Sequence, residues 1–338
     1  MIREPAIGAA FAAVFAMFLA GAPPTLADTA PTLLLPIDCV PGSDCWIVHY
    51  FDHDPGPGAK DYACGSLVYD GHDGVDIAIR DQATMRDGVE VRAAAAGTVT
   101  GTRDGMPDIS VKEIGADKIK DRECGNGVNI ELADGWSTQY CHMRRGSIAV
   151  KTGDKIAVGQ RLGLIGLSGK TEFPHLHLTV RHEQQKIDPF IGLGEPMNCA
   201  IGSTPLWDES LLPILAYHPV AIYNSGFTDR EPTWDEVKDG QHHATTVPAN
   251  AGALVFWAEI YGVVAGDQIT MRITGPSGNI VSKLRRSFQK TQIRRFEYIG
   301  KPGGGTWPSG RYVGEVVILH HGVDGNTEFR RDEEVNVP

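Results

Sequence analysis

Two short stretches of this sequence set metal-binding side chains at workable spacings. Gly71-His72-Asp73-Gly74-Val75-Asp76 places an imidazole and a carboxylate four residues apart across a glycine, at the mouth of an apolar strand. Fully extended, four residues span about 13 Å, too far to share a metal. The chain is therefore expected to bend at Gly74 so that both side chains converge. The second stretch is Pro174-His175-Leu176-His177-Leu178. Period-two alternation puts both imidazoles on one face of a strand and the leucines on the other. Both imidazoles could reach one metal, or one could bind while its neighbour handles the bound water. Taken together, the stretches offer two imidazoles and one carboxylate with a spare imidazole alongside. Three protein ligands and an open position make a catalytic zinc site, whereas a structural site is closed by a fourth ligand.

Competing signatures fail on spacing. H-E-x-x-H is absent, since His182-Glu183 is followed by Gln184-Gln185-Lys186. Glu172 to His175 forms an E-x-x-H, but no histidine is followed by Asp at the H-x6-D spacing that would accompany it, so Glu172 reads as accidental or as a rim residue. No G-x-S-x-G elbow occurs, and Gly166-Leu167-Ser168-Gly169 reads as a turn before the His-x-His strand. Of the 12 histidines, His242-His243 and His320-His321 receive a structural reading. His49 and His53 lie in an acidic stretch ahead of the motifs, from which they could fold over a cleft as a self-inhibiting plug.

The elements that must position these residues are mostly strands. Strand signals recur at Val75–Ile79, Val89–Ala93, Gly97–Thr100, Gly127–Leu132, Trp136–Cys141, Arg161–Ile165 and His175–Arg181, and Ala133-Asp134-Gly135 marks a hairpin. This predicts a mainly β protein whose first domain, 66–195, is antiparallel sheet. Residues 28–65, rich in Pro, Asp and Gly, read as an irregular segment pinned by disulfides. The prolines of 196–216 suggest a linker. Beyond it, strands at Leu254–Tyr261, Gln268–Thr274, Ile293–Tyr298, Arg311–His320 and Thr327–Val335 suggest a small Ig-like β-sandwich over 217–338. Its aromatics Trp257, Tyr261, Trp307 and Tyr312 are expected in that sandwich's core.

Arg3, the apolar run Ala6–Ala22 and the small-residue exit Thr25-Leu26-Ala27 have the anatomy of a secretory signal peptide, residues 1–27. The run is short for a bilayer span of about 20 residues, and no later segment could span a membrane. The protein is thus expected to be exported, to the periplasm, the cell envelope or the medium. Six cysteines and no C-x-x-C pair fit disulfides in an oxidising compartment. Cys124 and Cys141 flank the hairpin and are expected to pair; the other four stay open. With 31 basic and 42 acidic residues the net charge is −11, which argues against a nucleic-acid partner. Any affinity for an anionic polymer is expected to come from the shape of the zinc cleft or from a local basic patch such as Lys283, Arg285, Arg286, Lys290, Arg294 and Arg295.

The motif order resembles the lysostaphin-type, or LytM-domain, zinc metallopeptidases. His72-x3-Asp76 is followed by Gly135-Trp136-Ser137-Thr138-Gln139-Tyr140-Cys141-His142, by Gly153-Asp154 and Gly159-Gln160 ahead of Gly163, by Gly166-x-Ser168-Gly169, and by His175-Leu176-His177. The resemblance runs from about Gly71 to Phe190, and the cysteine pair is an elaboration on it. It implies that His72, Asp76 and His177 bind Zn2+, that His142 and His175 face the bound water and the developing oxyanion, and that peptidoglycan is the substrate, cut in its stem peptides or cross-links. Which of the two is the base stays open. The alternative is a non-catalytic LytM-fold module that binds the wall or activates an amidase, although such regulators usually lose ligand positions. A regulatory protein partner is left unidentified.

Overall fold

The computed structural model describes residues 1–2, 29–194, 199–322 and 325–338. The expected signal peptide therefore lies outside the described residues almost entirely. Among the described residues the fold is mainly antiparallel β. No helix there is long and apolar enough to cross a membrane.

In the first half, β1 (Cys45–His49), β2 (Val75–Ile79), β3 (Glu90–Arg92), β4 (Gly97–Arg103), β5 (Asn126–Glu131), β6 (Trp136–Met143), β7 (Lys155–Ile156), β8 (Arg161–Leu164), β9 (His175–His182) and β10 (Gln185–Ile187) are joined by tight turns. The main sheet runs β1-β2-β9-β6-β5-β4-β7 with β10 on β9, and β3 pairs with β8 alongside. Between these strands lie the short helices α1 (Gln82–Asp87) and α2 (Val111–Ile114). The core beneath the sheet includes Val75, Ile77, Leu176, Leu178 and Val180, none more than 1% exposed. At about 25 cal/mol per Å2 of apolar surface, this burial is the main force holding β2 and β9 level with one another.

The strands expected between Val75 and Arg181 are all present, and β2 has the same ends. One correction concerns 28–65, expected to be irregular: Cys45–His49 forms edge strand β1, antiparallel to β2. Its short apolar run, Trp46-Ile47-Val48, is hidden among turn-forming neighbours in the sequence. Three disulfides join Cys39 to Cys45, Cys64 to Cys199 and Cys124 to Cys141, the last as expected. Residues of the proline-containing 196–216 stretch lie on the first core: Leu206, Trp207 and Leu215 are buried in it, and Leu33 N–H donates to the Leu206 carbonyl at 2.7 Å.

The second half contains β11 (Ala221–Thr228), helix α3 (Trp234–Lys238), β12 (Ala253–Val263), β13 (Gln268–Thr274), β14 (Ile280–Ser287), β15 (Gln292–Pro302), β16 (Gly310–Gly322) and β17 (Gly325–Val337). They form two sheets, β11-β12-β15 and β14-β13-β16-β17, which share one apolar cluster containing Phe227, Phe256, Ile269, Met271, Val316 and Ile318. The sequence gives no warning of β11 and β14. β11 is buried on both faces and interrupted by Asn224-Ser225-Gly226, and β14 is a basic, mostly exposed edge, so neither shows clean alternation. Of the aromatics expected in the sandwich core, Trp307 and Tyr312 are there, but Tyr261 faces the first half. With Tyr223 it packs on Trp46, Val48, Ala78 and Phe173.

Candidate metal centre and cleft

Strand pairing builds the site. Asp76 on β2 stands opposite His177 on β9, and Ala78 opposite His175. On the other side of β9, His177 stands opposite Cys141 of β6, next to His142. His72 precedes β2, after a turn closed by its own N–H on the Tyr69 carbonyl at 3.0 Å. The bend expected at Gly74 is present, and a further turn precedes His72 at Gly71, whose φ of 74° suits the third position of a type II turn. Gly74 is also needed for space: a Cβ there would lie 2.8 Å from two atoms of the His177 ring and collide with the Leu178 carbonyl.

The three inward atoms form a small triangle. His72 Nε2 is 3.1 Å from Asp76 Oδ1 and 3.2 Å from His177 Nδ1, and His177 Nδ1 is 2.8 Å from Asp76 Oδ1. Donors about 2.0–2.1 Å from a tetrahedral zinc would lie about 3.3 Å apart, so the set fits a metal ion. Among the described residues one other group of this kind occurs, Cys39, Asp44 and Cys45, and its two sulfurs are already joined in a disulfide. The outer atoms of the triangle are held as well. His72 Nδ1 donates to the Tyr50 carbonyl at 2.6 Å; His177 Nε2 meets Thr179 Oγ1 at 2.9 Å and Asp73 Oδ1 at 3.3 Å; Asp76 Oδ2 meets His49 Nδ1 at 2.8 Å. Such partners fix tautomer and ring orientation. Asp73, itself paired with Lys186, was not picked out in the sequence. Thr179, two residues beyond His177 on one strand face, was legible by the same period-two argument.

The charges are strongly coupled. Burial alone would raise the Asp76 pKa, but the imidazoles of His72, His175 and His177 hold it well below the usual carboxylate range. Burial opposes a proton on His177, yet Asp73 and Asp76 outweigh it and raise its pKa to about 9. A metal entering here must displace that proton. His142 shows the opposite balance: burial, then its neighbours His175 and His177, push it well below the ordinary imidazole value, so it is neutral.

His142 owes its aim to a strand defect. Pairing of β5 with β6 slips between Asn126 and Val128, and His142 takes a left-handed φ of 62°. A bulge of this kind re-aims a side chain. The Cys124–Cys141 disulfide and the His142 N–H on the Cys124 carbonyl, 2.8 Å, fix it. Its Nδ1–H donates to the Ser168 carbonyl at 2.8 Å, which leaves Nε2 with the lone pair. His175 lies beside it, ring centroids 4.7 Å apart, with Nδ1 on the Phe173 carbonyl at 3.0 Å and Nε2 3.4 Å from Asp76 Oδ1.

A cleft of about 280 Å3 opens over these residues, lined by Tyr69, Asp73, Gln139, His142, Lys170 and Arg181 among others. The remaining sequence candidates lie elsewhere. His53 bonds Asp188 at 2.8 Å and His49 sits behind Asp76, so neither covers the cleft as a plug. Glu172 pairs with Lys112 on the surface. His242 meets Glu236, His243 meets Asp81 and His320 meets Asp267. The basic stretch is partly neutralised: Arg294 turns inward to Glu259 and Tyr223, and Arg286 and Arg295 both bind Glu297.

Residues 70–189 match the family model described as Peptidase family M23, and all five candidate residues lie inside that match. The chain carries a peptidase family M23 domain. Over 121 residues, 34% of this chain and 18% of the relative, the sequence is 29% identical to the cell division protein DipM of Caulobacter vibrioides. Over 82 residues, 24% of this chain and 16% of the relative, it is 34% identical to the peptidoglycan DD-endopeptidase ShyA of Vibrio cholerae. The matched part is thus less than a fifth of either relative's length. Similar solved structures include a catalytic domain of the prophage-encoded M23 protein EnpA from Enterococcus faecalis, at 24% identity, 47% of this chain, 94% of that one and a TM-score of 0.31. The catalytic domain of lysostaphin from Staphylococcus simulans matches at 21% identity, 42% and 85% coverage and a TM-score of 0.27.

Proposed function

We propose that this M23 protein is an exported zinc endopeptidase that hydrolyses peptide bonds in the stem peptides or cross-links of peptidoglycan. The observation that carries the reading is the converging trio His72 Nε2, Asp76 Oδ1 and His177 Nδ1 with two further buried imidazoles, His142 and His175, beside it. The substrate class follows the family match and the named activity of the ShyA relative. Export follows the leader-like N-terminus and the three disulfides, which need an oxidising compartment.

His72, Asp76 and His177 would hold the ion. When bound, zinc supplies Lewis acidity, polarising the scissile carbonyl and bringing the pKa of water down to about 7. His142, neutral and with its Nε2 lone pair free, accepts the proton from the attacking water and returns it to the leaving amine, so that a C–N bond breaks as a C–O bond forms. His175 supports the charge that develops on the carbonyl oxygen. Asp73, Thr179 and Tyr50 keep the ligand rings from turning. Lys170 and Arg181 line the cleft where the free carboxylates of a stem peptide would lie.

Incubation of a purified cross-linked muropeptide with the protein, followed by mass analysis, tests the reading. Products that together gain one water, and that disappear with a chelator, are expected. An intact muropeptide beside zinc-loaded protein would favour the non-catalytic wall-binding or amidase-activating module.

A further inference from the structure

We infer that His49, contributed from outside the M23 match, is a positioning residue for the Asp76 carboxylate, held in place by the C-terminal half of the chain. This rests on the metal-site reading above and deepens it. The β1–β2 ladder shifts between Ile47 and His49, which brings His49 opposite Asp76 in the same row as His177. Its Nδ1 lies 2.8 Å from Asp76 Oδ2, the oxygen not turned toward His72 and His177. A carboxylate on an unbranched side chain rotates about its last bond with little resistance. One oxygen can be presented steadily to the triangle only if the other is fixed, and His49 is the group that fixes it.

His49 has little freedom of its own. The residue is 8% exposed, and its ring meets Tyr69 edge-on at 5.2 Å, Phe173 at 6.2 Å and Tyr261 of β12 edge-on at 6.3 Å. Tyr261 in turn packs on Tyr223 and Phe173, and the Arg294 guanidinium covers Phe173 at 5.4 Å. The C-terminal sheets therefore form part of the wall that stops the His49 ring from turning. Outer partners of this kind change metal affinity by about 10–100-fold when removed.

Two substitutions at position 49 separate hydrogen bonding from packing. His49→Phe keeps a ring between Tyr69 and Tyr261 but cannot donate, whereas His49→Asn loses the ring and keeps an N–H near the position of Nδ1. Zinc affinity is read by competition with a chromophoric chelator, and geometry by the visible absorption of the cobalt-loaded protein. His49→Phe is expected to weaken zinc about 10–100-fold and to alter the cobalt spectrum, with His49→Asn within a few-fold of wild type. Unchanged affinity in His49→Phe, or equal weakening in both, would overturn the positioning role. Should His49→Phe fail to fold, zinc affinity of His49→Asn near that of wild type still supports the role, and a loss as large as that of His49→Ala overturns it. A wild-type protein that binds no zinc would instead defeat the metal-site reading itself.

Discussion

Asp76 and His177 stand directly opposite each other on β2 and β9, and their facing atoms, Oδ1 and Nδ1, are 2.8 Å apart. One cross-strand pair thus provides two of the three proposed ligands. Cross-strand neighbours are brought together by register, and a one-residue slip would send one of them to the opposite face. The buried row of Ile77, Leu176 and Leu178 makes that slip costly.

The two kinds of histidine should separate on substitution. His177→Ala removes a ligand and is expected to lose metal and activity together. His142→Ala should retain zinc while turnover falls about 10^2–10^4-fold, the usual contribution of a positioned acid–base group. Metal analysis beside kinetics checks both, and a zinc-free His142→Ala protein would contradict the division of roles.

The bulge that aims His142 depends on its disulfide. Replacing Cys124 and Cys141 together by serine opens a loop whose ends are 17 residues apart and should lower stability by about 3 kcal/mol, measured by denaturant unfolding. Turnover should fall with zinc content unchanged, because His142 alone among the five site residues lies on the bulge. Normal turnover in the double variant would show that the bulge holds without the crosslink.

Asp81 links α1 to the C-terminal half, accepting from Thr84 N–H at 2.8 Å and meeting His243 at 3.2 Å. Burial raises its pKa, but the His243 contact and the Thr84 bonds prevail and leave it lowered. A lowered folded pKa stabilises above the unfolded value of about 3.9, and the stabilisation is lost as pH falls through the folded value. Asp81→Ala should therefore be less stable than wild type by about 1 kcal/mol near neutrality, with the gap narrowing below about pH 4. A gap that persists at lower pH in urea titrations would exclude a role for the Asp81 charge.

Arg181 reaches across the cleft wall to Gln139 Oε1 at 2.8 Å. If it receives a substrate carboxylate, Arg181→Ala should raise KM about tenfold with kcat little changed, and the difference should shrink in high salt. An equal drop in kcat with KM unaltered would place Arg181 in the chemistry instead.

Much of the site was legible because period two is a strong signal. His175-Leu176-His177 on a strand, with leucines beneath, could hardly face any other way, and the hairpin at Ala133-Asp134-Gly135 located β5, β6 and the Cys124–Cys141 pair. His49 was legible only as one of two histidines that could fold over a cleft, not as a partner of Asp76. Its meaning depends on β1, a strand of five residues among prolines and glycines, and on a register shift that no local pattern reports. The turn at Gly71 was missed because the bend at Gly74 already accounted for the convergence of His72 and Asp76, and only the crowding around Gly74 shows that it is also needed for space. Arg294 was read as surface charge because its buried partner, Glu259, lies 35 residues away on β12.

The most direct test is digestion of purified peptidoglycan by the wild-type protein with and without a chelator, and again after zinc is restored. Release of new muropeptides, abolished by the chelator, recovered with zinc and absent for His142→Ala, is the result expected. Muropeptide profiles that stay unchanged while the wild-type protein holds its zinc would contradict the assignment of this M23 domain as a catalyst.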